Sequence, residues 1–364
     1  MTDRIFPSLP QDPQLLDLFR LFPHAVQPLL DYHDRLLRDE SPLTVGEREL
    51  IAAYVSGLNA CDFCHGAHII AASVHGLDEG LFAAMRADAQ GRLSMLGLAR
   101  DAIIEDRIVA HYQPKVDLRS GRLDGFEALL RWNHPSKGLQ TPHTIAAAFQ
   151  DGALAAEISD RMIQSVISDM RRWTDAGIYF GHVAVNAAAA EFKSGNFAEK
   201  LLNGLRQANL PTSCLQLEVT ETVFLGRGAE HVENTLRALS KEGIQIALDD
   251  FGTGYASLSH LSKFPVNIIK VDRSFIRKLE TSDRDAAIVR AVIKLGRSLS
   301  IKIVAEGIET QRQAEFLRKH RCHSGQGYLF GKAVPAAVVP SLVTTWGKTH
   351  VAARSMSSTD ATVN

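Results

Sequence analysis

Two different patterns of apolar and polar positions divide the chain. Over residues 13 to about 95, apolar side chains recur three and four positions apart in "PQLLDLFRLF", "VQPLLDYHDRLLRD", "TVGERELIAAYVSGLN" and "CHGAHIIAASVHG". That spacing puts one apolar stripe on each of a set of amphipathic helices. Thr44, with Glu47 three positions on, predicts a capping box at the start of one of them. Gly76 and the Leu-Asp after it reset the chain for a further short helix, and "RADAQGRLSMLGLARDA" reads as a helical linker.

From about residue 109 short β-rich segments alternate with helical ones: "IVAHYQPKVDL", "GFEALLRW", "GHVAVN", "CLQLEVTE", "IQIALDDF", "IIKVD", "IKIVAEG" and "QGYLF". Amphipathic stretches such as "AEKLLNGLRQAN" and "RDAAIVRAVIKLGRSL" fill most of the gaps. Alternation of β and α over about 250 residues predicts a parallel sheet, and the length suits a closed (β/α)8 barrel. "DLRSGRLDG" joins the first two strands as a hairpin, so one strand runs antiparallel. The expected fold class is therefore an all-α domain (1–95) followed by an α/β TIM-like barrel (96–345), with a small, polar, disordered tail (346–364).

Composition narrows the setting. An apolar fraction of 45% supports real cores, and a formal net charge of −1 argues against binding a nucleic-acid polymer. No basic start leads into an apolar leader, and no apolar run approaches the ~18 residues of a membrane span. The four cysteines, at 61, 64, 214 and 322, are too few for a disulfide scaffold. The expectation is a cytoplasmic protein that meets no membrane.

The polar residues of the second region fall mainly at the tips of apolar strands. Glu127 lies in "FEALLRW", Asn186 ends "VAVN", and Glu218 and Glu221 lie in "LEVTE". Asp249 and Asp250 end "IALDD", Lys270 and Asp272 end "IIKVD", and Glu306 and Glu309 lie in "AEGIE". Any one of these alone would more often be a cap or a surface charge. So many at the active-site end of a barrel point to a site. Buried carboxylates in such number repel unless cations join them. Oxygen ligands with one amide suit Mg²⁺ or Mn²⁺ better than zinc. The adjacent Asp249-Asp250 pair suggests two ions, the arrangement used for phosphodiester hydrolysis.

"YQPKVDLRSGRLDGFEALLRW", "LEVTET", "DDFGTGYASLSHLSKFPVNIIKVDRSFI", "VAEGIET" and "QGYLFGK" resemble the successive motifs of the EAL domain. The resemblance covers roughly residues 97 to 345. It implies a (β/α)8-like barrel with one antiparallel strand and hydrolysis of cyclic di-GMP to linear 5′-pGpG. It also implies that Glu127, Asn186, Glu218 and Asp249 hold one metal, and that Asp250, Asp249 and Glu306 hold the second. Lys270 would orient the attacking water. Gln326 would complete the floor, and Gln113, Arg131 and Asp272 would meet the substrate. Phe251 to Leu258 resembles the family's mobile loop at the dimer interface, anchored by Glu221, so a homodimer or higher homo-oligomer is expected. The chain departs from the family in "AAAAEF" after Asn186, in "TIAAAFQDGAL" and in "GKAVP". Some EAL domains only bind cyclic di-GMP, and that receptor role is the alternative.

"NACDFCHGAH" places Cys61, Cys64, His65 and His68 on one side of a helix, with Glu49 on the helix before it. A thiol at a helix N-terminus near a histidine has a lowered pKa. The stretch from about 40 to 85 resembles the alkyl hydroperoxidase D-like, or carboxymuconolactone decarboxylase-like, family. Its glutamate, Cys-x-x-Cys and histidine match Glu49, Cys61, Cys64 and His68; a further family histidine is Phe63 here. The resemblance implies a dithiol attacking through Cys64 and resolved by Cys61. Three readings stay open: a redox disulfide that regulates the barrel, a zinc or other metal site with His65 or His68, or a helical assembly module with spectator cysteines. Peroxide reduction as the main activity, regulated by the barrel, is a further alternative.

Overall fold

Where apolar positions repeat every second residue the chain forms strands, and where they repeat every third and fourth it forms helices. The computed structural model describes residues 23–58, 62–77, 79–192, 195–224, 229–252, 261 and 263–346. Contacts divide the chain into two compact units, Met1–Met95 and Leu96–Asn364.

The first unit holds α1 (Pro23–Arg38), α2 (Val45–Leu58), α3 (Asp62–Val74) and the start of α4 (Glu79–Ile104). The predicted helix at "PQLLDLFRLF" lies outside the described residues. The capping box forms as expected: the Thr44 amide donates to Glu47 at 2.8 Å, and the Glu47 amide donates to Thr44 Oγ1 at 3.2 Å. α2 and α3 meet through small residues, with Ala53 and Ala72 both buried. The helix expected to be short after Gly76 runs instead for 26 residues. "RADAQGRLSMLGLARDA" contains no proline and is rich in strong helix formers, so nothing interrupts the spiral.

The second unit is built on β1 (Ile108–Asp117), β2 (Leu123–His134), β3 (Gly138–Gln140), β4 (His182–Asn186), β5 (Leu215–Thr220), β6 (Gln245–Phe251), β7 (Ile268–Val271), β8 (Lys302–Ala305), β9 (Ser324–Gln326) and β10 (Val334–Pro335). Pairing runs β1-β9-β8-β7-β6-β5-β4-β2, and β2 pairs back to β1, closing an eight-stranded ring. β1 is antiparallel to both of its ring neighbours, and every other ring pair is parallel. The hairpin behind this reversal is local chemistry. Asp117 accepts from the Ser120 amide at 2.6 Å, and Gly121 takes a positive φ of 69°. The strand expected in "QGYLF" ends at Gln326, because the Phe330 amide turns back to the Gly327 carbonyl at 3.0 Å.

Helices α5 (Gly152–Asp175), α6 (Ala189–Phe192), α7 (Phe197–Gln207), α8 (Ala229–Lys241), α9 (Arg273–Arg277), α10 (Asp283–Ser298) and α11 (Gln311–Lys319) accompany the strands. The large core packs strand residues such as Tyr112, Phe126, Val183, Leu217 and Leu248 against helix residues such as Ile158, Leu201, Leu236 and Val289. Cys214 and Cys322 are buried in it, as expected, and burial pushes their thiols up to about 11 and about 12. Among the described residues, no helix is long and apolar enough to cross a membrane.

Two positions carry testable consequences. Gly181 has φ +74°, and a Cβ there would lie 2.2 Å from the Asp124 carbonyl oxygen at the start of β2. Gly181→Ala is expected to lower unfolding stability by about 2 kcal/mol or more, read by urea or thermal unfolding. Glu191, in the "AAAAEF" departure, is buried. It accepts from Ser159 Oγ and from the Ala188 amide, both at 2.5 Å. Burial raises its pKa to about 7, only partly offset by those two bonds. The folded chain thus prefers the protonated form. Its stabilising contribution, on the order of 3 kcal/mol, is complete below the ordinary carboxylate pKa and fades as pH rises through about 7. Glu191→Gln should match the parent near pH 5 and melt at a higher temperature near pH 8.

Candidate active site

Alternation along a strand sends every second side chain into the barrel. In most barrels these inward positions are apolar. Here Ala247, Ile268 and Val304 form only a small cluster of their own. Two residues further along the same strands come Asp249, Lys270 and Glu306, so a charged layer sits directly above the apolar one.

Lys270 stands at the centre of that layer, fully buried. Its Nζ lies 2.7 Å from Glu306 Oε1, 3.1 Å from Asp249 Oδ2 and 3.4 Å from Glu127 Oε2, and it also contacts Glu218. Lys115 donates to Gln216 Oε1 at 2.6 Å and lies 3.4 Å from Glu218 Oε1. Asn186 Nδ2 donates to Glu127 Oε1 at 3.2 Å. Gln326 Nε2 donates to Glu127 Oε2 at 2.7 Å and to Gln113 Oε1 at 3.0 Å. Gln326 Oε1 is buried with no hydrogen-bond partner, which leaves one acceptor on the floor unsatisfied.

The electrostatics record an excess of negative charge. Burial opposes the Lys270 charge, but Glu127, Glu218, Glu306 and Asp249 outweigh it and hold its pKa well above the usual lysine value. Burial pushes the Glu127 carboxyl up, yet Lys270, Lys115 and the two amide hydrogen bonds bring it below its ordinary value. Glu218 is raised to about 7 by burial and the Glu127 charge. Glu306 is raised to about 8 by burial, which Lys270 only partly offsets. Asp250 is raised by burial and by its neighbours Asp249 and Asp272.

Neighbouring residues on a regular strand cannot both face the same way, yet Asp249 and Asp250 do. The β6–β7 register shifts between Leu248 and Phe251, and Asp250 adopts φ +54°. The bulge and the left-handed residue together break the alternation. One oxygen each from Asp249, Asp250 and Glu306 then lie within 4.8 Å of one another, a spacing that can hold a cation. Five carboxylates facing two ammonium groups, with an orphaned amide oxygen beside them, are a donor set suited to divalent ions.

A cleft of about 590 Å³ opens above this layer. Gln113, Arg131, Asp272 and Gln326 line it, along with Glu127, Asp249, Asp250, Lys270, Glu306 and Glu309. Asp272 also caps α9, accepting from the Ser274 amide at 2.9 Å. Asn186 and Glu218 reach the layer from its sides, through Glu127 and Lys270. Glu221 accepts from the Gly252 amide at 3.4 Å, where the chain enters the predicted loop; residues 253–260 lie outside the described residues. Lys115, Arg273, Tyr328 and Lys332 were not singled out from the sequence. Lys115 was legible, since it follows Gln113 by two and so shares its face.

In the first unit Glu49 is buried, and its Oε2 lies 2.6 Å from His68 Nδ1. Arg38 pairs with its other oxygen. Burial raises the Glu49 carboxyl, but bonds from His68 and Arg38 hold it below its ordinary value. His65 Nδ1 lies 2.6 Å from the Ala53 carbonyl, which sets the ring proton on Nδ1 and leaves Nε2 buried without a partner. The α2–α3 hairpin thus brings Glu49 against His68. Cys64 is half-buried on α3, and Cys61 lies outside the described residues.

Comparison with known proteins agrees with the geometry. The EAL domain family matches residues 98–333. The chain is similar to the bifunctional diguanylate cyclase/cyclic di-GMP phosphodiesterase MucR of Pseudomonas aeruginosa, 40% identical over 73% of this chain and 40% of that protein. It is also similar to the cyclic di-GMP phosphodiesterase NbdA of the same organism, 36% identical over 69% of this chain and 32% of that one. The chain thus spans well under half the length of either relative. Among solved structures, the PaMucR phosphodiesterase in complex with c-di-GMP has a TM-score of 0.63 at 41% identity, covering 67% of this chain and 98% of that one. The EAL enzyme Bd1971 in its cGMP-bound form has a TM-score of 0.65 at 28% identity, covering 74% and 77%. With its closed ring, its single antiparallel strand and its acidic layer at the strand tips, the chain belongs to the EAL domain family.

Proposed function

We propose that the chain hydrolyses cyclic di-GMP to linear 5′-pGpG. The observation that carries this reading is the meeting of Asp249, Asp250 and Glu306 at ligand spacing beside the Lys270 cluster. The named activities of the similar proteins support it.

Glu127, Asn186, Glu218 and Asp249 would hold one Mg²⁺ or Mn²⁺, and Asp250, Asp249 and Glu306 a second. Such ions supply the positive charge that activates water and offsets charge on a phosphate. The chain's own groups do the rest. Lys270, released from some of its carboxylates when cations bind, donates toward the attacking water and the phosphate. Gln326 and Gln113 hold Glu127 in place from the floor. Arg131 and Asp272, on the cleft walls, meet a phosphate and a polar edge of the substrate. Tyr328, 64% exposed on the cleft, offers its ring to a base.

The first unit is proposed as the regulator, through a dithiol or zinc site at Cys61 and Cys64 served by Glu49 and His68, in the manner of alkyl hydroperoxidase D-like domains. Oxidation or metal there would alter how two copies of the chain pack in a homodimer and so the loop that Glu221 anchors. The pairing of buried Glu49 with His68 supports this reading.

Hydrolysis should require Mg²⁺ or Mn²⁺ and stop on chelation. Glu127→Gln keeps the shape of the site but removes a charged ligand and should lower turnover by roughly 100-fold or more, followed as pGpG release by chromatography. Binding of cyclic di-GMP without turnover by the parent chain would make the barrel a receptor instead. Peroxide treatment should change the turnover of the parent and leave Cys64→Ser unchanged. Equal rates in reduced and oxidised parent would remove the dithiol from regulation while leaving the hydrolase intact.

A further inference from the structure

The opposite end of the barrel carries a second cavity that the hydrolysis does not use. Its volume is about 630 Å³, and it is lined by Asp117, Arg119, Arg297, Arg318, Arg321, Cys322 and His323. The four arginines come from three separate segments. Arg119 lies in the β1–β2 hairpin, Arg297 in the last turn of α10, Arg318 in the last turn of α11, and Arg321 just beyond it with φ +63°. Because β1 runs backwards, its hairpin lies beside the start of β9, with Asp117 paired to Ser324. All four guanidinium groups therefore gather where the parallel strands begin, away from the carboxylates at their tips.

Helix dipoles explain part of this arrangement, since cations are favoured in a last helical turn. They do not explain Arg119, which sits on a hairpin, nor the convergence of four cations on one concavity. Among the described residues none of the four is ion-paired with a carboxylate, although the chain as a whole is close to neutral. The one acid in the cavity, Asp117, accepts from the Ser120 amide and hydroxyl at 2.6 and 2.7 Å. Burial opposes its charge, but those bonds and the nearby Arg119 hold its carboxyl below the ordinary value, so it offsets at most one of the four cations. Arg318 Nε donates to the Leu118 carbonyl at 2.9 Å, which fixes that side chain at the wall. His323 accepts from the Ile303 amide through Nδ1 at 3.0 Å, so its ring proton sits on Nε2 as a further donor. Four like charges repel in the absence of an anion, and planar guanidinium forks match phosphate oxygens two at a time.

We infer that this cavity binds a small molecule carrying two or more phosphate groups, at a site separate from the hydrolytic cleft. The arginines converge on one concavity of about 630 Å³ rather than running along an extended basic track, which favours such a compact ligand over a nucleic-acid strand. The ligand's source is either inorganic polyphosphate or a nucleoside polyphosphate, and both offer the same adjacent phosphates.

The test is calorimetric titration of the full chain with inorganic pyrophosphate and, separately, with GTP. EDTA is present throughout, so that no divalent ion bridges either probe to the carboxylates. Binding of one or both probes is expected, weakened roughly tenfold or more in an Arg119→Gln/Arg321→Gln double variant. Neither residue belongs to the cleft, so the double variant should keep its cyclic di-GMP turnover, and its melting temperature reports folding independently of that activity. Binding of both probes identifies the adjacent phosphates as the recognised group, and binding of GTP alone identifies a nucleotide. The inference is overturned if neither probe binds, if the folded double variant binds as the parent does, if sodium sulfate at equal ionic strength competes equally, or if duplex DNA binds in preference to both.

Discussion

The barrel depends on one buried ammonium. Lys270 lies within ion-pair distance of four carboxylates drawn from β2, β5, β6 and the end of β8, more than any other cation among the described residues. Without it, four acids facing one another in a medium of low polarity would either take up protons or push the strands apart. Even with it the balance is incomplete, as the raised pKa values of Glu218 and Glu306 show. The interior is therefore held together by charge that is not fully compensated. Such a layer would gain from a divalent cation, so the interaction that organises the fold also suits the proposed chemistry.

Much of this was legible in the sequence, for a physical reason. A strand buried on both faces must be apolar along its length, so a carboxylate at its tip stands out, and Glu127, Glu218, Asp249 and Glu306 were all found that way. The strand order follows from short crossovers and from the polar hairpin that turns β1 around. What the sequence did not show are features made by cross-barrel contact. Alternation with Gln113 puts Lys115 on the inward face, but its partner Gln216, about a hundred residues away in the chain, is not marked by any local pattern. The arginine cavity is likewise built from segments with no common pattern. The bulge that turns Asp249 and Asp250 to one side depends on register with β7, which no local spacing encodes.

The two units solve the problem of a buried acid differently. In the first, Glu49 is neutralised locally by Arg38 and His68, a closed group of three with little charge to spare. In the second, acids outnumber bases. Glu191 is a third case: burial outweighs the bonds it accepts from a hydroxyl and an amide and raises its pKa to about 7, so its stability contribution follows pH.

The left-handed conformation of Asp250 has a consequence for how such proteins change over time. An aspartate at φ +54° carries backbone strain of roughly 1 kcal/mol and adds charge to a crowd of acids. Glycine or asparagine there would relieve the strain, the repulsion or both. Loss of the proposed activity therefore runs downhill in folding free energy at this position, and only selection for turnover would oppose it. A barrel freed from that selection would drift toward a sturdier fold with its cleft intact and its acids thinned out, a route by which a hydrolase becomes a ligand-reading module.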